Sequence, residues 1–202
     1  MNSIEKLAEI FSKFPGIGPR QAKRFVYYLL SRKGTYNEEL IAAIQNLKKE
    51  VNQCNECMRY FVRQGNYLNT CPICADSNRD NSMLMIVPRD IDFEAVEKSG
   101  TYKGYYFVLG GSLPILEKEP EKKIRSKELE ARIKKGQENG LKEVVLAMNA
   151  NAEGENTVDY IKERFRDLPI AMSTLGRGLS TGAELEYADP ETLRSAFQHR
   201  TR

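Results

Sequence analysis

The chain has 202 residues, 41% of them hydrophobic and 29% charged, with a net charge of +3. That length and balance suit one good core with small modules attached and exclude a low-complexity or strongly polyionic chain. No run approaches the ~18 apolar residues of a membrane span, Met1–Glu9 has no apolar signal-peptide core and repeats of solenoid length are absent, so a cytoplasmic protein is expected.

Charge is unevenly spread. Residues 1–50 carry nine Lys and Arg against five Asp and Glu, 51–80 three against three, 81–170 fifteen against sixteen, and 171–202 four against four. A basic N-terminal module suits contact with nucleic acid, although a solvated helical surface gives the same count. Residues 3–14 predict an amphipathic helix with Ser3 as cap, Lys6 where a capping-box Glu would sit, and Ile4, Leu7, Ala8, Phe11 and Phe14 on one face. Phe14-Pro15-Gly16-Ile17-Gly18-Pro19 cannot continue it. Pro19 starts a second helix that runs to Ser31, with Ala22, Phe25, Val26 and Leu29 inward. A third helix is expected from an Asn37 cap, burying Leu40, Ile41, Ile44 and Leu47. The Pro-Gly-Ile-Gly turn between short helices looks like a helix-hairpin-helix. Gly16 and Gly18 would let a phosphate approach the backbone, free amides at the next helix would donate to it, and Arg20, Lys23 and Arg24 would reach the flanking chain, with Ile17 packed back between the helices. A hairpin that serves only packing or oligomerisation is the plain alternative.

The only cysteines follow as two pairs, Cys54-Asn55-Glu56-Cys57 and Cys71-Pro72-Ile73-Cys74, thirteen residues apart. This spacing predicts a closed, structural four-cysteine zinc site, one ion per chain, with no position left for a catalytic water. Two disulfides would need an oxidising compartment. A lone histidine, His199, and no tryptophan leave no candidate for a histidine general base.

From about residue 81 the pattern alternates. Strands are expected at 83–87, 105–109, 144–148 and 170–173, with helices at 92–98, 126–138 and 153–166 between or after them. The continuous apolar runs Met83–Val87 and Val144–Met148 suit strands buried on both faces, so the fold class is α/β, a mostly parallel sheet covered by helices on both sides. In such sheets ligands gather beyond the carboxyl ends of the strands. Those ends are Pro88-Arg89-Asp90, Gly110-Gly111-Ser112, Asn149 to Glu155, and Thr174 to Gly178.

Phe14-Pro15-Gly16-Ile17-Gly18, the four cysteines, Tyr106-Phe107-Val108-Leu109-Gly110-Gly111, Glu153-Gly154-Glu155 and Gly182-Ala183-Glu184-Leu185-Glu186-Tyr187-Ala188-Asp189 occur in this order. With them the chain resembles the RecR family of bacterial recombination mediators over nearly its full length. The resemblance implies a helix-hairpin-helix module at 1–52, a four-cysteine zinc finger at 53–80, a Toprim-like domain at 81–174 and a C-terminal Walker B-like or oligomerisation segment at 175–202. It also implies dimers or tetramers in rings and partnership with RecO and RecF. Toprim enzymes hold Mg2+ with a Glu after one strand and Asp-x-Asp after another, hard oxygens that Mg2+ requires. Pro88 stands at the Glu place, where the family generally keeps an acid, and Asn149 and Asn151 stand at the Asp places, where it usually does not.

Glu153 and Glu155 remain, either as acids complementing a helix dipole or, by the resemblance, as an acidic surface for RecO. Gly176–Gly182 lacks the Gly-Lys-Ser/Thr of a P-loop. The Glu184–Asp189 stretch reads as a Walker B-like motif or, more simply, as an edge strand before a helix at 190–198 used in subunit exchange. The expected function is therefore a non-enzymatic, nucleoid-associated DNA-binding mediator of recombinational repair, a clamp that acts with RecO and RecF to load RecA on single strands. The rival is a Mg2+-dependent Toprim nuclease or primase-like enzyme using Glu153, Glu155 and Asp90.

Overall fold

Asn2, rather than the expected Ser3, starts the first helix. Its side chain accepts the Glu5 N–H at 2.9 Å while the Glu5 carboxylate accepts the Asn2 N–H at 3.0 Å. This capping box is one residue out of register with the expectation and needs no acid at Lys6. The computed structural model describes residues 1–63, 65, 69–182, 184–198 and 200; Ala183 of the C-terminal motif and His199 lie outside them. Two compact units emerge, Met1–Val51 and Asn52–Arg202.

In the first unit α1 (Ser3–Ser12) and α2 (Pro19–Ser31) form a hairpin. Ala8, Ala22 and Val26 are buried between them, flanked by Ile4, Leu7, Phe11 and Ile17. Small residues at the contact let the two backbones approach, and the larger side chains seal its margin. Phe25, expected inside, lies at the rim against Phe11, ring centroids 5.9 Å apart. The third helix, α3 (Tyr36–Glu50), starts after Thr35 rather than Asn37, has no side-chain cap and buries none of its residues. Ile41, Ile44 and Leu47 are 57%, 54% and 61% exposed, which corrects their expected burial. Their spacing does place them on one face, but spacing supplies no partner, and the α1–α2 contact is complete without them.

The second unit opens, at Asn52, inside a short two-stranded sheet of β1 (Val51–Gln53) and β2 (Tyr60–Val62), followed by the one-turn helix α4 (Pro72–Ala75). The rest is α/β. In chain order it comprises β3 (Asp80–Val87), α5 (Asp90–Ser99), β4 (Gly104–Val108), α6 (Pro120–Lys123), α7 (Ser126–Glu138), β5 (Glu143–Leu146), α8 (Ala152–Arg164) and β6 (Ala171–Thr174). The four larger strands make an all-parallel sheet in the order β4-β3-β5-β6, with Ile86 opposite Phe107 on one side and Leu146 on the other. Strand alternation divides the core. Leu84 and Ile86 join Phe107, Leu129, Ile133 and Ile161 on the α7–α8 face. Met85 and Val87 join Phe93, Tyr106 and Val108 on the α5 face. The connections through α5 and α8 leave β3 and β5 toward opposite faces, so the strand order reverses between those two strands.

The C-terminal segment differs from the expectation. Leu185–Tyr187 form a 3-10 turn, not an edge strand, and Leu185 and Tyr187 are 64% and 80% exposed. The cause is the next helix, α9 (Pro190–Gln198). Asp189 turns its carboxylate onto the N–H groups of Glu191 and Thr192, at 3.0 and 2.9 Å, which bends the chain just where a strand would have to stay extended.

Candidate metal centre and nucleic-acid interface

Cys54 and Cys57 sit on the turn joining β1 to β2. Met58 closes that turn in the left-handed region, φ 60°, and its N–H donates to Cys54 O at 2.9 Å. Pro72 sets the first turn of α4, with Cys71 just before it and Cys74 inside it. The Cys71 N–H donates to Cys54 Sγ at 3.3 Å. All four sulfurs lie within 4.8 Å of one another, and those of Cys57 and Cys71 are 3.7 Å apart. Ligands on a tetrahedron with metal–sulfur bonds of ~2.3 Å stand about 3.8 Å apart. None of the four is in a disulfide, and Cys54, Cys57 and Cys71 are buried. The four thiols hydrogen-bond among themselves, so their ionisation is shared across the cluster. Four soft donors converging on one point could hold a metal ion, and no other such group of Cys, His, Asp or Glu occurs among the described residues.

The cysteine module is fastened to the sheet by groups that the sequence reading missed or placed elsewhere. Val108 N–H donates to Cys57 O at 2.8 Å. Arg125 donates from one guanidinium nitrogen to Met58 O and Val108 O, each at 2.9 Å. The Asp90 carboxylate accepts the Tyr60 N–H at 2.8 Å, and the Arg59 guanidinium lies 4.5 Å over the Phe93 ring. The side-chain bonds that cross from the cysteine module to the sheet join residues 30 and 67 positions apart, so no local pattern could announce them.

At the hairpin of the first unit, Gly16 has φ +75°, which only glycine adopts without strain. Gly18 is the extended N-cap of α2 and supplies no side chain to its amides. A Cβ at either glycine would meet nothing within 4 Å, so the backbone is open to close approach. Arg20, Lys23 and Arg24 are exposed on the first turns of α2, and Ile17 is turned into the α1–α2 contact. The six residues singled out in the sequence thus fall within the hairpin turn and the first two turns of α2.

The strand ends of the sheet show how the Toprim positions are occupied. Pro88 follows β3 and has no side-chain oxygen. Asn151 caps α8, its side chain accepting the Gly154 N–H at 2.8 Å. Glu155 is held by Arg177 at 2.8 Å, and the same Arg177 nitrogen reaches Glu191 of α9 at 3.0 Å. Glu153 is exposed in the first turn of α8. Thr157 is buried, donating to Glu153 O at 2.6 Å and accepting the Leu113 N–H at 2.8 Å, which ties the loop after β4 to α8. A groove of 590 Å³ opens here, lined by Asn149, Glu155, Asp159, Lys162 and Arg177 among others. Its floor is tight: a Cβ on Gly154 would lie 1.9 Å from Asn149 O. Gly154→Ala is therefore expected to destabilise the protein by about 3 kcal/mol, read as a melting temperature lower by about 6–12 °C.

Comparison with known proteins places these parts. A model for "RecR, helix-hairpin-helix" matches residues 4–48, one for the Toprim domain matches 82–176, and one for "RecR, C-terminal" matches 178–201. The chain is 38% identical over 199 residues to the recombination protein RecR of Chlorobium chlorochromatii, covering 98% of this chain and 96% of that one. The chain belongs to the RecR family. RecR proteins of Chloroflexus aurantiacus and Staphylococcus saprophyticus are similar at 37% and 38% identity, covering 98% of this chain and 93% and 96% of theirs. As in the matched RecR segments, the hairpin, the Toprim sheet and the C-terminal helix follow one another in that order, with the four-cysteine cluster between the first two. No helix of the described residues is long and apolar enough to cross a membrane.

Proposed function

We propose that this chain is a DNA-binding mediator of recombinational repair that performs no catalysis of its own. The observation that carries this reading is the match, along almost the whole chain, to relatives named recombination protein RecR. The Gly16–Gly18 backbone and Arg20, Lys23 and Arg24 contact phosphates without reading sequence. Zinc occupies the four-cysteine cluster and makes the joint beside the sheet stiff. Several copies close into a ring-like clamp in the cytoplasm, at the nucleoid. Together with RecO and RecF the clamp loads RecA on single strands. Glu153 offers an acidic docking point for RecO, with Glu155 available once Arg177 lets it go.

A second reading, a Mg2+-dependent nuclease or primase-like enzyme, draws on the Toprim match alone. Against it, Asp90 is engaged with Tyr60, Asn151 with its helix and Glu155 with Arg177, which leaves Glu153 as the one acid of that set with a free-standing exposed carboxylate among the described residues. One experiment separates the two. Gly18 has φ −81° and open space around it, so Gly18→Ala is expected to fold, within about 1 kcal/mol, and to bind labelled DNA about tenfold more weakly because its methyl group holds the phosphate away. The same samples, incubated with Mg2+ or Mn2+ and plasmid or single-stranded DNA, are expected to leave the DNA unchanged. Cleavage or primer synthesis that disappears in Glu153→Gln would install the enzymatic reading instead.

A further inference from the structure

The interval from Ile10 to Asn37 contains Lys13, Arg20, Lys23, Arg24, Arg32 and Lys33 and no Asp or Glu. Within it Arg20, Arg24, Tyr28 and Arg32 recur every fourth residue, a single row along α2 and its C-cap. At the far end of that row the aromatic residues are assembled rather than scattered. The Arg32 guanidinium carbon lies 3.9 Å above the Tyr28 ring centroid and 5.9 Å from that of Tyr36. Tyr28 and Tyr36 meet edge to face, centroids 6.0 Å apart at 81°. Tyr27, Tyr28 and Tyr36 are nevertheless 57%, 44% and 40% exposed. Three rings and a stacked guanidinium thus stand in water inside a purely cationic stretch. Charge complementarity selects a polyanion as the occupant, and exposed π-faces select one that carries flat rings of its own.

We propose that the Tyr28–Arg32–Tyr36 cluster is a stacking platform for unpaired bases. It rests on the reading of the hairpin as a phosphate contact and extends that site along α2. Tyr28 lies ten residues beyond Gly18, about 15 Å along a helix, the length of about four stacked nucleotides at ~3.4 Å each. A strand whose phosphates lie on the hairpin and on Arg20, Lys23 and Arg24 therefore reaches the cluster. There its bases lie on the guanidinium plane and the tyrosine faces, surfaces that accept any base. A duplex keeps its base faces inside the stack and gains only the phosphate contacts. The platform accordingly gives a preference for single strands without sequence preference.

The test uses the full-length, zinc-loaded protein and fluorescence anisotropy on an oligothymidylate, a strand of the same length made of abasic sites, and a blunt duplex. Tyr28→Leu combined with Arg32→Lys keeps bulk and charge but removes the stack. Binding to the oligothymidylate is expected to weaken about 5- to 150-fold, the factor for one stacked base, while the abasic strand and the duplex change less than about twofold. Unchanged binding to the oligothymidylate, or an equal loss on all three, overturns the platform. So does light scattering that shows a changed oligomer size in the variant without a strand-specific loss, which would assign the cluster to contact between copies. Wild-type protein that binds none of the three removes the hairpin reading itself. Wild-type protein that binds all three equally keeps the hairpin reading and removes only the platform.

Discussion

Extracting the metal with a strong chelator, or replacing Cys57 with Ser, is expected to unfold the cysteine module and lower the melting temperature by more than about 10 °C. The four sulfurs hold the two turns together around one point, within 4.8 Å. Among the described residues only Phe61 is buried there besides Cys54, Cys57 and Cys71. Structural zinc supplies an apparent ~10–16 kcal/mol in small metal modules. The hydrogen bonds that fasten this module to the sheet, each worth roughly 0.5–1.5 kcal/mol net, cannot replace it. A loss of even ~5 kcal/mol corresponds to about 10–20 °C for a chain of this size. Elemental analysis is expected to return one zinc per chain. Hydrogen exchange should accelerate first at the Tyr60 and Val108 amides, whose acceptors are Asp90 and Cys57. A metal-free protein with an unaltered transition would remove the structural role proposed for the ion.

The second large effect is expected at the other unit. Reversing Arg20, Lys23 and Arg24 to Glu should abolish measurable DNA binding while leaving the fold intact, because all three side chains are exposed and, among the described residues, none is in an ion pair with an acid. For the wild type, three phosphate contacts correspond to a log–log salt slope of about −2.7, or a ~40-fold loss of affinity between ~50 and ~200 mM salt. Each single reversal should flatten that slope by about one. Titrations at several salt concentrations, with circular dichroism on the same variants, measure both. A slope near zero in the wild type would contradict a phosphate-led contact.

Much of this architecture is written in local patterns. The cysteine spacing locates the metal-ligand set, Pro-Gly-Ile-Gly locates the α1–α2 hairpin, and the runs around Ile86 and Val145 locate the parallel sheet. Other features turn on contacts that periodicity does not encode. Ser3 and Asn2 are both good caps, and only the position of Glu5 three residues after Asn2 decides between them. Ile41, Ile44 and Leu47 share a face, yet nothing in their spacing says whether that face meets anything within the chain. The Glu184–Asp189 stretch alternates like a strand, but the capping demand of α9 takes Asp189 away from it. At the candidate Toprim site the residue types were legible and their engagements were not. Asp90 survives as an acid close to the end of β3, and the structure uses it to hold a backbone amide of the cysteine module 30 residues away.

The first strand in the sheet order, β4, has an outer margin that would ordinarily be an open template for another strand. Here several of its outward polar groups are already taken: Gly104 O by Arg79 at 2.9 Å, Val108 N–H by Cys57 O at 2.8 Å, and Val108 O by Arg125 at 2.9 Å. An added strand would have to break those bonds first, which disfavours growth of the sheet on that flank. The cysteine module thus covers part of that border: an incoming strand would have to displace Cys57 O from the Val108 amide before it could pair there.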